Sequence, residues 1–120
     1  MRDYRKLKAF QVADALALRV YEVTRDFPKD EQFGLRAQMR RAAVSVPSNI
    51  VEGSARESGR EYLRFLDTAF ASSQELAYQL TLATRLGFLA HADFESLDAL
   101  VQELCRILNG LLRRLRQSAP

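Results

Sequence analysis

Apolar residues recur every three or four positions near the beginning and the end of the chain, which is the spacing of one face of an α-helix. Near the beginning, the apolar face consists of Phe10, Ala13, Leu16, Ala17, Val20, Tyr21 and Thr24. Near the end, it consists of Phe94, Leu97, Leu100, Val101, Leu104, Leu108, Leu111, Leu112 and Leu115. Charged residues such as Arg19 and Arg106 occupy the opposite faces. Both segments are therefore predicted to be amphipathic helices.

The middle of the chain shows the same period in two further segments, separated by short breaks. The breaks fall at residues 27–30, 53–59 and 87–93. In the second break, Ser58 and Glu61 have the capping-box spacing, in which both side chains satisfy free amides at a helix start. We predict four helices at about residues 7–26, 35–55, 58–86 and 93–116. No segment alternates with the period of two expected for a strand.

Four long helices joined by short connections predict one all-α domain over residues 1–120. Connections this short favour antiparallel neighbours, so the expected architecture is an antiparallel up-down-up-down four-helix bundle. The composition, with 48% hydrophobic and 28% charged residues, suits one globular domain. No apolar run approaches the roughly 20 residues that cross a bilayer, and the N-terminus lacks the apolar core of a secretion signal. We therefore expect a cytoplasmic protein with no membrane partner.

The second and third helices carry more apolar surface than the core of one bundle requires. The surplus residues lie across from the core-facing sides, mostly at heptad spacing, and they are Ala37, Val44, Val51, Ala71, Tyr78 and Leu82. A stripe on one helix can arise by chance, because single exposed apolar residues are normal. Stripes on two consecutive helices indicate self-association, and the small residues among them allow close helix approach. We predict a homo-oligomer that uses these six residues.

The second helix also holds a proline and four polar residues within an otherwise apolar stretch, a mixture that helix propensity does not explain. The polar residues are Ser45, Ser48, Asn49 and Glu52. One interpretation is a hydrogen-bonded network that fixes helix packing or oligomer register. The other is that Glu52 acts as a general base in a dry cleft. Structural networks are the commoner use of such residues, and we favour that role.

The usual marks of a catalytic or metal site are missing from the sequence. It has no glycine-rich phosphate loop and no glycine-flanked nucleophilic serine. With one cysteine, Cys105, and one histidine, His91, neither a catalytic relay nor a metal site built from these residues is expected. We predict a noncatalytic protein with no cofactor and no metal.

Basic residues concentrate at one end of the predicted bundle. Residues 9–103 carry ten basic and fourteen acidic side chains, so the overall charge of +3 comes from the termini. An up-down-up-down bundle brings together the start of the first helix, the turn between the second and third, and the end of the fourth. This basic end gathers ten basic residues against four acidic ones, a net charge of +6: Arg2, Arg5, Lys6, Lys8, Arg56, Arg60, Arg64, Arg113, Arg114 and Arg116 against Asp3, Glu52, Glu57 and Glu61.

Six arginines of the basic end are candidate contacts to nucleic-acid phosphates: Arg56, Arg60, Arg64, Arg113, Arg114 and Arg116. Two simpler explanations compete. The first three arginines follow at four-residue steps and can pair with nearby glutamates, whereas the last three complement the dipole at a helix C-terminus. Neither explanation covers Lys6 and Lys8, which precede a helix start where negative charge is preferred. We therefore predict a polyanionic partner, with RNA or DNA as the natural candidate.

A second arginine cluster, Arg36, Arg40 and Arg41, lies nearer the middle of the predicted bundle. Arg36 and Arg40 are about one helical turn apart, whereas Arg41 points about 100° away from Arg40. At most two of the three therefore serve one surface. Ion pairs with a neighbouring chain and contacts to nucleic acid both fit this cluster.

The chain resembles a bacterial family of four-helix bundle proteins named for open reading frames in intervening sequences of 23S ribosomal RNA genes. The resemblance extends from about Phe10 to Leu115, and its residues are Phe27-Pro28, Glu31-Gln32-Phe33-Gly34-Leu35, Gln38, the run from Arg40 to Gly53, Glu75-Leu76 and Tyr78-Gln79-Leu80. Two small departures occur: Val51 stands where alanine is more typical, and Ser54-Ala55 replaces an aromatic residue after Gly53.

The resemblance implies an antiparallel four-helix bundle that assembles as a homopentamer. The family is similar to the accessory variability protein of diversity-generating retroelements, which forms a ring-like pentamer and associates with nucleic acid and a reverse transcriptase. The family offers no catalytic residue to transfer, and fold transfers between relatives better than function. Two hypotheses follow. The chain forms a noncatalytic nucleic-acid-binding ring, an adaptor for an RNA-processing or reverse-transcribing partner, or it is a protein-only assembly scaffold with no nucleic-acid ligand.

Overall fold

The computed structural model describes residues 2–118, so Met1, Ala119 and Pro120 of the predicted domain lie outside the described residues. Four α-helices are present: α1 (Lys8–Thr24), α2 (Leu35–Ser54), α3 (Gly59–Arg85) and α4 (His91–Ser118). Short 3₁₀ turns at Tyr4–Lys6 and Lys29–Glu31 precede α1 and α2, and no strand occurs within residues 2–118. The all-α prediction with four helices is confirmed. The molecule is elongated, measuring 48 × 23 × 21 Å along its principal axes.

The core forms where the apolar faces of the four helices meet. Each helix contacts two others, in the cyclic order α1, α2, α3, α4 and back to α1. The leucines that are at most 1% exposed are Leu16, Leu66, Leu76, Leu80, Leu97, Leu104 and Leu108. Complete burial of one such side chain stabilises a fold by about 1.5–3 kcal/mol. Tyr21 departs from the predicted apolar face of α1, because it is 43% exposed.

Both ends of α3 are fixed by local hydrogen bonds. The Ser58 hydroxyl accepts a hydrogen bond from the backbone N–H of Glu61 at 3.3 Å, which is one half of the predicted capping box. The Glu61 carboxylate instead lies 3.2 Å from an arginine three residues later. At the other end, Gly87 has a φ of +81°, and the N–H of Phe88 donates to the carbonyl oxygen of Ala83 at 2.9 Å. This left-handed glycine ends α3 and turns the chain toward α4.

The contact between α2 and α3 is the most extensive of any helix pair. α2 continues through Pro47, although proline costs about 3 kcal/mol relative to alanine in a helix interior. Near the end of α2, Gly53 is buried against α3, and a Cβ added to it would lie 2.8 Å from the Cβ of Phe65. The two helices therefore approach closely at a position that only glycine fits.

Candidate functional site

Arg2 attaches the N-terminal segment to the connection between α2 and α3. Its backbone N–H donates to the carbonyl oxygen of Ser54 at 3.3 Å, and its Nη1 donates to the carbonyl oxygen of Arg56 at 2.7 Å. Its guanidinium lies 4.0 Å from the ring centroid of Tyr62 in the first turn of α3, a cation–π contact. Burial raises the pKa of the Tyr62 hydroxyl, and the charge of Arg2 opposes this effect. The chain start and the α2–α3 connection thus form one surface.

A cleft of about 420 Å³ opens beside this contact and is lined by Arg2, Ala55, Arg56 and Glu57. The Arg56 guanidinium lies 5.0 Å from the ring centroid of Phe65 in α3. No carboxylate within residues 2–118 forms an ion pair with Arg56. An aromatic ring therefore positions this arginine while its charge stays available to a ligand.

Arg60 and Arg64 lie one turn apart on α3 and are both exposed. Arg64 pairs with Glu61 at 3.2 Å, whereas Arg60 has no ion-pair partner within residues 2–118. Exposed pairs on one helix contribute little to stability and are screened by salt. The ion-pair explanation therefore accounts for only one of the three arginines that follow at four-residue steps.

The arginines at the end of α4 differ in their surroundings. Arg113 and Arg114 are exposed and form no ion pair within the described part of the chain. Arg116 lies 2.5 Å from the Asp67 carboxylate in α3, three residues beyond Arg64. This ion pair joins the end of α4 to the arginines of α3. When Asp67 is counted with the predicted basic end, ten basic residues stand against five acidic ones, and the predicted net charge falls from +6 to +5.

A second cleft, the α2–α3 cleft, has a volume of about 320 Å³ and is lined by Asn49, Arg64, Phe65 and Thr68. Asn49 belongs to the predicted polar motif and Arg64 to the predicted nucleic-acid contacts, so the structure brings these two groups together. The sequence predicted neither Phe65 nor Thr68 as a site residue. The spacing of Thr68 could have identified it, because it follows Arg64 by one helical turn and therefore lies on the same side of α3.

The polar motif of α2 joins this helix to α3. The hydroxyl oxygens of Ser45 and Ser72 lie 2.8 Å apart. The amide Nδ2 of Asn49 donates to the carbonyl oxygen of Ser45 at 2.8 Å and to its hydroxyl at 3.1 Å. Ser48 is half-buried, whereas Glu52 is exposed and does not have the dry surroundings that a general base needs. The geometry therefore favours the structural interpretation of Ser45 and Asn49.

The six predicted interface residues fall into two groups by exposure. The exposed ones are Val44, Ala71 and Tyr78, and the half-buried ones are Ala37, Val51 and Leu82. Among the large side chains of this set, Tyr78 is the most exposed at 61%, and Val44 is 39% exposed. Part of the predicted apolar strip on α2 and α3 therefore faces solvent in a single copy of the chain.

Three further large apolar side chains are exposed that the sequence did not assign to an interface. They are Leu18 on α1 at 64%, Phe33 before α2 at 87%, and Leu86 after α3 at 52%. They do not follow the heptad spacing of the strip on α2 and α3. Periodicity alone therefore could not identify them.

Arg40 has an intramolecular role that the sequence did not suggest. Its Nε donates to the Thr24 hydroxyl at 2.9 Å, and its Nη2 donates to the carbonyl oxygen of Tyr21 at 3.2 Å. Its guanidinium also lies 4.4 Å from the Tyr21 ring centroid. Burial, with a smaller contribution from Arg36, lowers the pKa of Arg40, while Arg41 hydrogen-bonds to a glutamine of its own helix. Arg40 thus caps the C-terminal end of α1, a role that neither hypothesis for this cluster foresaw.

Cys105 and His91 both have partners within the chain. Cys105 is buried with its Sγ 3.3 Å from the Ser73 hydroxyl, and His91 Nε2 lies 2.8 Å from the Glu95 carboxylate. Within residues 2–118, histidine, cysteine, aspartate and glutamate side chains form no cluster of three or more that could hold a metal. No helix in this part of the chain combines the length and apolar character needed to span a bilayer.

Comparison with known proteins relates both the sequence and the fold to one group. A family model described as 23S rRNA-intervening sequence protein matches residues 5–110. The fold is similar to the crystal structure of a protein of unknown function from the S23 ribosomal protein family of Bacteroides thetaiotaomicron VPI-5482, with a TM-score of 0.80. The two chains are 20% identical, and the match covers 88% of this chain and 95% of that one, so this likeness concerns the fold alone. No functionally curated protein matches the sequence.

Proposed function

Because the chain belongs to the 23S rRNA-intervening sequence protein family, we propose that it is a noncatalytic, homo-oligomeric nucleic-acid-binding protein. The proposed contacts to phosphates are Arg56, Arg60, Arg64, Arg113, Arg114 and Arg116. The observation that carries the proposal is that four of these six form no ion pair within residues 2–118, so their charge is not neutralised locally. Exposed, uncompensated arginines attract polyanions through counterion release.

The proposal includes an antiparallel arrangement of neighbouring helices. Thr24 at the end of α1 contacts Arg40 in the first half of α2. Gly53 near the end of α2 lies against Phe65 near the start of α3. These contacts support reversal of direction at the first two connections, and the ion pair between Arg116 and Asp67 supports it at the third. In the proposed arrangement the ten basic residues gather at one end.

We further propose that the strip formed by Ala37, Val44, Val51, Ala71, Tyr78 and Leu82 joins copies of the chain. Burial of the exposed Tyr78 and Val44 side chains would contribute about 25 cal/mol for each Å² removed from water. The resemblance to ring-forming relatives suggests five copies. Copies that point the same way would repeat the basic end around one face of the ring and form a positive annulus suited to RNA or DNA.

In this function the ring is an adaptor that presents nucleic acid to an RNA-processing or reverse-transcribing partner. A second function, a protein-only assembly scaffold, is favoured by a different observation. Leu18, Phe33 and Leu86 are exposed outside the strip that joins copies, and such residues suit contact with another protein. The arginines would then contact other subunits.

Salt dependence separates the two functions. Binding of a fluorescent single-stranded oligonucleotide to the oligomer is measured at 50 and 200 mM salt. Four phosphate contacts predict a loss of affinity of about 50-fold over this range, whereas contacts between apolar surfaces change little. Absence of any salt-sensitive binding at low ionic strength would show that the nucleic-acid function is wrong. Replacing Arg60 and Arg64 together by glutamate should abolish binding and leave assembly intact, and loss of assembly instead would assign these residues to a subunit contact.

A further inference from the structure

We propose that the α2–α3 cleft holds one unpaired nucleotide of a bound strand, an assignment that rests on the proposed nucleic-acid-binding function. The cleft volume of about 320 Å³ is near the lower limit for small-molecule sites, which is about 300–1,000 Å³. It therefore suits a group of the size of a single nucleotide. The bases of a duplex are stacked and paired inside it, so only an unpaired nucleotide can place its base in a cleft between two helices.

Two arginines lie at or beside this cleft. Arg64 lines the cleft, and Arg56 lies 5.0 Å from the centroid of the Phe65 ring. The carboxylate paired with Arg64 belongs to Glu61, and the Arg64 side chain is 75% exposed. Arg64 can therefore exchange this exposed carboxylate for a phosphate oxygen, and arginine binds phosphate in a bidentate manner.

Asn49 and Thr68 supply hydrogen-bond acceptors next to this positive charge. Asn49 directs its amide N–H group to Ser45, and no hydrogen bond within residues 2–118 uses its Oδ1. The Thr68 hydroxyl donates to the carbonyl oxygen of Arg64 at 3.3 Å, which leaves its oxygen as an acceptor. A backbone phosphodiester has no donor for these two oxygens, whereas the base of a nucleotide has N–H groups. The cleft therefore fits a nucleotide better than a phosphate alone.

Phe65 gives the cleft an aromatic surface without sequence preference. Every base has a π-face, so stacking on an aromatic side chain is largely independent of which base is present. Asn49 and Thr68 present acceptors, and every base carries a donor for them: an exocyclic amine in adenine, guanine and cytosine, and the ring N3–H in uracil and thymine. The cleft is therefore expected to accept a nucleotide of any base in a single strand.

The test uses neutral substitutions, so that the net charge of the basic end stays the same. The Asn49→Ala/Thr68→Ala variant removes both acceptors, and its matched control is Gln102→Ala/Thr81→Ala. Thr81 is the control for Thr68, because both are exposed threonines of α3 whose hydroxyls donate to a backbone carbonyl at 3.3 Å. Gln102 is the control for Asn49, because the side-chain amide of each donates to the residue four positions earlier. Affinities for a single strand and for the corresponding duplex are measured by fluorescence anisotropy with the full-length oligomer.

We expect the full-length protein to prefer the single strand, and the cleft variant to lose about tenfold in affinity for it, since two hydrogen bonds are removed. The control should bind like the unaltered protein. Equal affinity of cleft variant and control, in a protein that binds nucleic acid, would overturn the cleft assignment alone. Preference for duplex would also overturn it. Absence of binding by the unaltered protein would overturn both the cleft assignment and the proposed function.

A second pair of variants keeps the test decisive if loss of Asn49 disturbs the fold. Arg64→Gln and Arg60→Gln each remove one exposed arginine of the proposed phosphate contacts from α3, but only Arg64 lines the cleft. Circular dichroism should show equal helix content in both. Arg64→Gln is expected to weaken single-strand binding at least fivefold more than Arg60→Gln, and equal losses would overturn the cleft assignment alone.

Discussion

The Nε of Arg40 in α2 donates a hydrogen bond to the hydroxyl of Thr24, the last residue of α1, at 2.9 Å. The Thr24 hydroxyl in turn donates to the carbonyl oxygen of Val20 at 2.7 Å, and Arg40 also reaches the carbonyl of Tyr21. Carbonyl groups in the last turn of a helix lack intrahelical partners and carry partial negative charge. One guanidinium therefore satisfies an exposed carbonyl and joins two helices.

Arg40→Ala is expected to lower the free energy of unfolding by about 1–2 kcal/mol, because it removes hydrogen bonds from a charged donor and a cation at a helix C-terminus. Urea unfolding followed by circular dichroism measures this loss. The control is Arg41→Ala, whose side chain bonds only within α2 and whose effect should stay within about 0.5 kcal/mol. Equal destabilisation by both variants would show that the contact with α1 is unimportant.

Two glycine substitutions should have effects of opposite sign. Gly53→Ala places a Cβ 2.8 Å from the Cβ of Phe65 and is expected to destabilise the fold by about 1–3 kcal/mol, as overpacking does. Gly110→Ala in α4 meets only the flexible end of Arg114 at 3.7 Å, so it should stabilise by about 0.5–1 kcal/mol through helix propensity. Thermal unfolding of both variants checks the signs. Stabilisation by Gly53→Ala would contradict the close approach of α2 and α3.

Tyr78→Arg is expected to reduce the mass of the assembly. A chain of 13.7 kDa gives a pentamer of about 69 kDa, and a charge within the apolar strip should shift this mass toward that of one chain. Light scattering after size-exclusion chromatography measures the mass. Leu18→Arg is the control. Leu18 is 64% exposed and Tyr78 is 61% exposed, but Leu18 lies on α1, outside the strip. If only the control dissociates, the interface lies on α1.

Asp67→Asn should strengthen nucleic-acid binding, because it releases Arg116 from its ion pair. The salt dependence of binding should steepen by about the contribution of one added contact. Conversely, Arg116→Gln should weaken binding less than Arg113→Gln, since Arg113 has no ion-pair partner within residues 2–118. Affinities measured over a salt series distinguish these slopes. An equal or larger loss from Arg116→Gln would show that the ion pair with Asp67 does not restrict the contact of Arg116 with nucleic acid.

Stability should fall in alkaline solution through Tyr62. Burial raises the pKa of this hydroxyl above its ordinary value of about 10, so the folded chain retains a proton that the unfolded chain releases. The stabilising effect is complete below about pH 10 and is lost as the pH rises toward the folded-state pKa. Urea unfolding at several alkaline pH values measures the loss. Tyr62→Phe should flatten this dependence, and an unchanged slope would show that another group is responsible.

Much of the fold could be predicted from the sequence because apolar spacing reports burial directly. The faces of α1 and α4 are defined by residues such as Leu16 and Leu104, which are almost completely buried. The polar run in α2 indicated a hydrogen-bonded helix contact, and Ser45 forms a hydrogen bond with Ser72 of α3. These features depend on positions within one helix, where periodicity is informative.

The remaining features depend on which residues meet across helices, and periodicity does not contain that information. Asp67 joins the basic end only because α4 places Arg116 beside it. Thr68 becomes part of a cleft only because Asn49 lies opposite on α2. Arg40 reaches α1 through its long side chain, a contact between residues 16 positions apart. Each of these contacts is set by helix register and side-chain length.

The close approach of α2 and α3 at Gly53 has a consequence for the order in which the chain folds. The two helices adjoin in sequence and share the largest contact, so their hairpin closes with a small loss of loop entropy. By contrast, α1 and α4 contact each other from opposite ends of the chain. We expect the hairpin to form in the transition state, so that Gly53→Ala slows refolding while leaving the unfolding rate nearly unchanged. During synthesis, α4 would then be the last helix to pack, and it would pack against an α2–α3 hairpin that has already formed.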